Sequence, residues 1–211
     1  MRQQGGHPVS VRQRETADET RERIAIVAEE MFRRMGFAKT AVADIAAELD
    51  MSAANVYRFF PSKNAIVETI CNRCLAEVEA QVAAVARAPL PAPERIEQAF
   101  DTILQYHRDN FLVERRVHDM VLVAIEHNWL AIEAHKGRIR QYLATLLREG
   151  IAEGAFEPHD VDRVSAILLG SCVRFCHPIL VAQSIDEDLE GQARETVRFL
   201  LRAVEVNRRP L

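Results

Sequence analysis

The chain has 211 residues, of which 48% are hydrophobic and 27% are charged, and its formal net charge is −4. This hydrophobic content suffices for a sizeable core and excludes a mostly disordered chain, while the charge excludes a generally basic nucleic-acid protein. No apolar run is long enough to span a bilayer, and the polar N-terminus does not resemble a signal peptide. We therefore expect a cytoplasmic protein whose four cysteines are reduced thiols.

Residues 1–17 show neither helical nor strand periodicity and are expected to form a mobile arm. Arg2, Arg12 and Arg14 would let this arm contact phosphates or a minor groove when DNA is present. The other interpretation is a solvated tail without a function.

An amphipathic helix is predicted next, because Thr16 and Glu19 have the spacing of a capping box. Gly36 is expected to stop this helix, with Phe37 folding back onto it. The helix should pack across the two helices that follow and support them. Its expected buried residues are Ile24, Val27, Ala28, Met31, Phe32 and Met35.

Two short helices joined by a tight turn are predicted in residues 40–63, TAVADIAAELDMSAANVYRFFPSK. Thr40 is expected to cap the first helix and Ser52 the second. The second helix leaves small and hydrogen-bonding residues outside, as a helix that enters a major groove requires. The inward residues are Val42, Ile45, Ala46 and Leu49 in the first helix, and Val56, Phe59 and Phe60 in the second. The outward residues of the second helix are Ala53, Ala54, Asn55, Tyr57 and Arg58.

A wider set of residues around these helices carries a family resemblance. The set comprises Phe32, Gly36, Phe37, Thr40, Val42, Asp44, Ile45, Ala46, Met51, Ser52, Val56, Tyr57, Phe60, Ser62 and Lys63. Through them, residues 24–70 resemble the DNA-binding module of the TetR family of bacterial transcription regulators. Two positions depart from the family pattern. Asp50 replaces the usual turn glycine but tolerates the left-handed conformation, and Phe59 replaces a His or Tyr able to bind a phosphate.

The resemblance implies roles for individual residues. Thr40, Tyr57 and Lys63 would hold phosphates, while Arg58 would pair with guanine and Asn55 with adenine or a phosphate. The full predicted DNA-binding set is Thr40, Ala43, Ser52, Ala53, Ala54, Asn55, Tyr57, Arg58 and Lys63. The expected fold is all-α, with a helix-turn-helix domain at residues 18–62 and a ligand-binding and dimerisation domain at residues 63–211.

A long helix is predicted from Pro61 to Val85, which would carry the chain from the DNA-binding module into the next layer. The proline-rich stretch 88–93 is the clearest linker. The segment 146–156, LLREGIAEGAF, resembles the turn between two long helices in TetR-like regulatory domains. Further helices are predicted at 94–110, 114–128, 129–153, 160–184 and 186–207.

The last two predicted helices have broad apolar faces. In TetR-like proteins the final two helices pair with those of a second copy, although core packing alone would give the same periodicity. A dimer is also expected because one short recognition helix reads few base pairs, whereas two reading a palindrome roughly square the discrimination. The predicted dimer-interface residues are Leu168, Cys172, Ile179, Leu189, Ala193, Val197, Leu200 and Val204.

Aromatic and polar residues within the otherwise apolar second part form a mixture that can line a ligand cavity, although each is individually compatible with ordinary packing. Pro178 lies inside a predicted helix, so either a kink opens a space beside residues 172–178 or the helix ends before the proline. The predicted ligand-binding residues are Cys74, Leu104, His107, Phe111, Trp129, Cys172, Phe175 and Cys176.

Two cysteine pairs, Cys71 with Cys74 and Cys172 with Cys176, have spacings that could serve zinc binding or a redox switch. Both pairs lie among apolar residues of predicted helices, where a free cysteine usually packs as a small hydrophobe, and we favour that role. No HExxH motif, Ser/His/Asp order or glycine-rich phosphate loop occurs. The sequence therefore predicts no enzyme, no cofactor and no metal site.

The prediction for the whole chain is a homodimeric repressor that a small-molecule ligand releases from a palindromic operator. The alternative is a helix-turn-helix protein controlled by a protein partner, with a filled core and no pocket. A third hypothesis is an enzyme or metal-dependent protein on the same scaffold. An enclosed, partly polar cavity would separate the first two. The effector and the operator sequence cannot be read from the sequence.

Overall fold

The computed structural model describes residues 16–111, 117–127, 129–184 and 186–206. These residues form α-helices and no β-strand, apart from an isolated bridge between Phe156 and Glu205, so the all-α prediction is confirmed. No helix in these ranges is long and apolar enough to cross a membrane. The helices are α1 Ala17–Met35, α2 Val42–Glu48, α3 Ala53–Phe59, α4 Lys63–Ala86, α5 Ala92–Phe111, α6 Val117–His127, α7 Trp129–Ala152, α8 Val161–Ser171, α9 Val173–Cys176, α10 Pro178–Gln183 and α11 Leu189–Leu201.

Helix α1 begins and ends as predicted. The Thr16 hydroxyl accepts from the Glu19 backbone N at 3.2 Å, and the Glu19 carboxylate accepts from the Thr16 backbone N at 2.8 Å. These bonds complete the capping box and lower the pKa of Glu19. At the other end, Gly36 has φ +95°, a conformation that strains residues with a Cβ, and Phe37 packs edge-on against Phe32 at 5.3 Å between ring centres.

The cap of α2 differs from the prediction. Ala41 is the N-cap, and its backbone N donates to the Asp44 carboxylate at 2.8 Å. Thr40 is buried, and its hydroxyl donates to the Gly36 carbonyl at 2.9 Å. The predicted capping role of Thr40 is wrong, because the carbonyl freed at the end of α1 holds this hydroxyl instead.

The turn between α2 and α3 has the expected conformation. Asp50 adopts φ +54°, so an aspartate occupies the left-handed position that the family usually gives to glycine. Ser52 caps α3 by accepting from the Asn55 backbone N at 3.2 Å, as predicted. On the inner side of α3, Val56 and Phe60 are fully buried, while Phe59 is only partly covered.

Helix α4 belongs to both parts of the chain. Ser62 caps its N-terminus, and Ile66 and Ile70 are buried in its first half, where α4 packs against α1. Val78 and Val82 are buried further along, where α4 packs against α5, α6 and α7. A displacement of α4 by the second part therefore acts directly on the packing of the helix-turn-helix module.

The proline-rich stretch after α4 is a short connection fixed by a buried arginine. Arg95 donates to the Ala86 carbonyl at 2.9 Å and to the carboxylates of Glu149 and Glu153 at 2.6 and 3.1 Å. At the end of α7, the ring of Phe156 occupies the space where a Cβ on Gly150 would lie, so a side chain at position 150 would force Phe156 out. The α7–α8 turn is thus packed closely.

The helix predicted at residues 160–184 is three helices, α8, α9 and α10. His177 is extended, with φ −106° and ψ 118°, and Pro178 is the first residue of α10. A residue before proline avoids the helical conformation, and proline fits the first helical position because it has no N–H to donate. The structure thus selects the second explanation offered for Pro178, a helix that ends before it. The final helix is also shorter than predicted, beginning at Leu189 after the Asp188 cap.

Candidate nucleic-acid interface and internal cavity

The outer face of α3 has the composition expected of a recognition helix. Ala54 and Arg58 are exposed, and Tyr57 is 51% exposed although its ring is large and apolar. Within the described residues, neither Tyr57 nor Arg58 has a hydrogen-bond or ion-pair partner. Ala43 on α2 is exposed as well, while Asn55 is partly covered. The face therefore has two uncommitted polar side chains beside small residues that permit close approach to a groove.

Two residues predicted to hold phosphates act inside the module instead. The ammonium of Lys63 donates to the carbonyls of Phe37 and Thr40 at 2.7 and 3.0 Å and lies 4.0 Å from the centre of the Phe37 ring. Partial burial lowers the pKa of Lys63. The Thr40 hydroxyl is buried and donates to the Gly36 carbonyl, so it is not presented to DNA, and the Lys63 ammonium is engaged by two carbonyls of the same module. The predicted phosphate contacts of Thr40 and Lys63 are corrected accordingly.

Arg21 on α1 supports α3 in a way that sequence patterns did not indicate. Its guanidinium donates to the Phe59 carbonyl at 2.6 Å and lies 4.6 Å from the centre of the Phe60 ring. A cation at a helix C-terminus stabilises the carbonyls that lack partners there. Arg21 thereby fixes the C-terminal end of α3.

Charged side chains join the module to the second part. Arg73 on α4 pairs with Glu22 and Glu29 on α1. Glu29 also pairs with Arg33 at 2.6 Å, and Arg33 donates to the Asn110 carbonyl near the end of α5 at 2.7 Å. Helix α1 is thus bonded both to α4 and to the C-terminal end of α5.

A cavity of about 620 Å³ lies in the second part, between α4, α5, α6, α7 and the broken α8–α10 segment. Its size is that of a typical small-molecule site. Most of the buried lining residues are apolar, so a ligand with apolar surface would remove that surface from water by binding here. Representative members of this wall are Val67, Ile70, Val78, Ile103, Met120 and Val121.

Three histidines line the same cavity and differ in the partners of their ring nitrogens. His107 Nε2 lies 2.9 Å from the Cys176 carbonyl, and burial lowers the pKa of His107 to about 4. His135 Nδ1 lies 2.7 Å from the carboxylate of Glu79, yet burial still lowers its pKa. His177 Nδ1 is buried without a hydrogen-bond partner. The cavity is therefore apolar with a few defined polar atoms.

Comparison with known proteins then decides the family. Residues 92–197, half of the chain, match the model of the tetracyclin repressor-like C-terminal domain, and residues 24–70 match that of the bacterial regulatory proteins of the tetR family. The chain belongs to the TetR family. Members of this family are transcriptional regulators, not enzymes, which confirms that prediction. The N-terminal match covers the same residues as the resemblance found in the sequence.

Individual relatives of this TetR-family chain are distant. The HTH-type regulator YhgD of Bacillus subtilis is 20% identical over 138 residues, which are 65% of this chain and 72% of YhgD. A transcriptional regulator from Cytophaga hutchinsonii has a TM-score of 0.68 at 19% identity, covering 88% of this chain and 98% of its own. The repressor FadR of Thermus thermophilus, solved with lauroyl-CoA, has a TM-score of 0.62 at 19% identity, covering 90% and 98%. These structures share the fold.

The residues predicted to bind a ligand in the TetR-family chain separate into three groups. Cys74, His107 and Cys176 line the cavity. Leu104, Cys172 and Phe175 are buried in the core and are absent from the cavity wall, so their assignment is corrected to packing. The side chains of Phe111 and Trp129 lie outside the described residues.

Three of the four cysteines of the TetR-family chain are poor candidates for redox or metal chemistry. Burial raises the pKa of Cys74 to about 11 and that of Cys172 to about 12, and it also raises the pKa of Cys176. These thiols stay protonated at neutral pH, whereas the thiolate is the nucleophile and metal ligand. Among the described residues, no group of three or more His, Cys, Asp or Glu side chains is placed to hold a metal ion.

The predicted dimer residues face inward. Leu168, Cys172, Leu189, Ala193 and Val197 are buried within a single copy of the chain. Side chains already buried cannot cover a partner, so their interface assignment is corrected to core packing. The remaining three predicted members are partly buried against the same core and are Ile179, Leu200 and Val204.

Exposed apolar residues occur on the same two helices, next in sequence to residues of the predicted set. Ile167 on α8 is 50% exposed and Phe199 on α11 is 72% exposed. Periodicity identified an apolar face on each helix correctly, but it did not distinguish a face covered by the chain itself from one left open.

Proposed function

We propose that this protein is a homodimeric repressor that binds a palindromic operator in the bacterial cytoplasm and releases it when a small molecule occupies the internal cavity. The observation that carries the proposal is the cavity itself, about 620 Å³ in volume, because one of its walls is α4 and α4 continues into the DNA-binding module. A protein controlled only by a protein partner needs no such space.

DNA recognition is assigned to the exposed faces of α2 and α3. Arg58 pairs with guanine O6 and N7, Asn55 with adenine or a phosphate, and Tyr57 with a phosphate. Ala43, together with the small residues at the start of α3, permits the close approach that these contacts require. Arg21 bonds the C-terminal end of α3, and Lys63 bonds the segment that precedes α2.

Dimerisation is assigned to the exposed apolar residues of α8 and α11. Phe199→Glu should place a charge in this interface and shift the protein towards monomer, as measured by light scattering after size exclusion. Leu130→Glu is the matched control, because Leu130 on α7 is even more exposed but lies on another helix. A wild-type monomer, or equal dimerisation of both variants, would contradict this surface.

Release from DNA follows from differential binding. The dimer has two states that differ in the spacing of the two recognition helices. A ligand that binds one state more tightly shifts the dimer towards that state, by a free energy equal to the difference between its two binding free energies, typically about 1–3 kcal/mol. The bonds from Arg33 to Glu29 and Asn110 give the second part a polar connection to α1, in addition to the packing along α4. FadR of Thermus thermophilus, which shares the fold, was solved with lauroyl-CoA.

The experiment has two steps. The operator is first selected from random DNA with the full-length protein, and small molecules are then screened for release of that operator. Ala124→Phe, which fills the cavity from α6, should keep operator affinity and lose release. Release that is unchanged in this variant would refute a role for the cavity.

A further inference from the structure

The cavity has an open side and a closed side. All its exposed lining residues belong to α7 or to the α8–α9 segment, whereas α4, α5 and α6 contribute only covered residues. A ligand therefore enters between α7 and α8, and its apolar part goes towards α4. The exposed residues of this mouth are Glu133, Lys136, Arg140, Ala166, Gly170 and Val173.

Two helical glycines border the mouth. Gly137 on α7 and Gly170 on α8 both line the cavity, and a Cβ placed on either would meet no atom within 4 Å. Glycine inside a helix is unfavourable compared with alanine, and here no close contact requires it. The space beside both glycines is therefore open on the side where the cavity has its exposed lining residues.

The mouth has a net positive charge, and one of its two cationic side chains has no ion-pair partner in the described residues. Lys136 pairs with Glu133 at 2.5 Å, so these two charges largely cancel. Arg140, one helical turn beyond Lys136, forms no hydrogen bond or ion pair within the described chain. An arginine guanidinium matches the geometry of a carboxylate or phosphate.

A second uncommitted polar group lies further inside. His177 Nδ1 is buried without a partner at the break between α9 and α10, and His177 lines the cavity. Burial, with a smaller contribution from Lys136, lowers the pKa of His177, so the ring is neutral at pH 7. A buried polar atom without a partner is costly, and a ligand atom bonded to it would remove that cost.

We propose that the ligand is an anionic amphiphile, with its apolar body in the closed end of the cavity and its anionic group at the mouth against Arg140. His177 Nδ1 forms a hydrogen bond to a polar atom of the same ligand. The proposal rests on the proposed function, because it names the ligand class for the same cavity.

The test uses the full-length protein and three probes with the same alkyl chain, namely decanoate, 1-decanol and decyltrimethylammonium. Isothermal titration should give the tightest binding for decanoate. The single tryptophan, Trp129, is one turn before Glu133 on α7 and provides a fluorescence readout. Arg140→Gln should weaken decanoate by about three- to tenfold and leave decanol unchanged.

Two further variants serve as controls. Arg148→Gln changes an exposed arginine on the same helix that lies outside the cavity and should leave decanoate binding unchanged. Gly170→Leu fills the mouth and should weaken decanoate and decanol alike. Decanol binding as tightly as decanoate, with no effect of Arg140→Gln, would overturn the ligand class while leaving the cavity as a ligand site. If none of the three probes binds, this proposal is wrong, and operator release by another small molecule decides the proposed function separately.

Discussion

Replacement of Lys63 by methionine separates a structural role from a DNA contact. Methionine keeps most of the apolar stem but removes the two hydrogen bonds to the carbonyls of Phe37 and Thr40 and the contact with the Phe37 ring. With partial exposure taken into account, each hydrogen bond contributes about 1 kcal/mol and the cation–π contact about 0.5–1 kcal/mol. We expect the free energy of unfolding to fall by about 2–3 kcal/mol.

The assay is urea unfolding followed by circular dichroism, combined with operator binding measured over a series of salt concentrations. Lys39→Met is the matched control. Lys39 is exposed and lies between Phe37 and Thr40, the residues whose carbonyls Lys63 binds, and its replacement should change the free energy of unfolding by less than about 0.5 kcal/mol. A lysine that binds a phosphate would instead reduce the salt slope of DNA binding by about 1. Unchanged stability together with a reduced slope would refute the structural role.

Four further predictions address other residues. Arg58→Ala should reduce the preference for the operator over random DNA by about 1–3 kcal/mol, as measured by competition binding. Arg21→Ala should lower operator affinity without lowering the salt slope, because Arg21 holds α3 and is not assigned to DNA. His107 has a folded pKa of about 4 against an ordinary 6.5, so stability should be lost as the pH falls from 6.5 towards 4, by at most about 3 kcal/mol, and urea titrations should show a smaller loss for His107→Gln. Gly137→Ala should raise stability by about 0.4–1 kcal/mol and increase the melting temperature, since its Cβ meets no atom.

Local chemistry was predictable where the interacting groups are close in sequence. Thr16 and Glu19 form the expected capping box, and Asp50 adopts the expected left-handed turn. Such features depend on a few neighbouring residues and little else. The fold class and the helix-turn-helix followed from the same kind of signal, because apolar spacing fixes which face of a helix is buried.

The partners of long charged side chains were not predictable. Lys63 binds the carbonyls of Phe37 and Thr40, which are 26 and 23 residues before it in the sequence. Arg21 binds the Phe59 carbonyl, 38 residues after it, and no pattern in the sequence links such distant positions. Covered and open apolar positions of a helix also share the same periodicity, so Val197 and Phe199 were separable only by their observed burial. Cavity residues posed the same difficulty, since Cys172 and Cys176 share one short segment and only Cys176 lines the cavity.

The continuity of α4 has a thermodynamic consequence as well as a mechanical one. Its buried residues belong to one hydrophobic cluster that extends from Ile24 in α1 to Leu201 in α11. Parts that share a core unfold together, so the DNA-binding helices and the cavity walls should melt in a single transition. A ligand that binds only the folded cavity then raises the unfolding free energy of the recognition helix as well, although it never touches that helix. If the proposed function is correct, the molecule that removes the protein from its operator also protects the helix-turn-helix from unfolding.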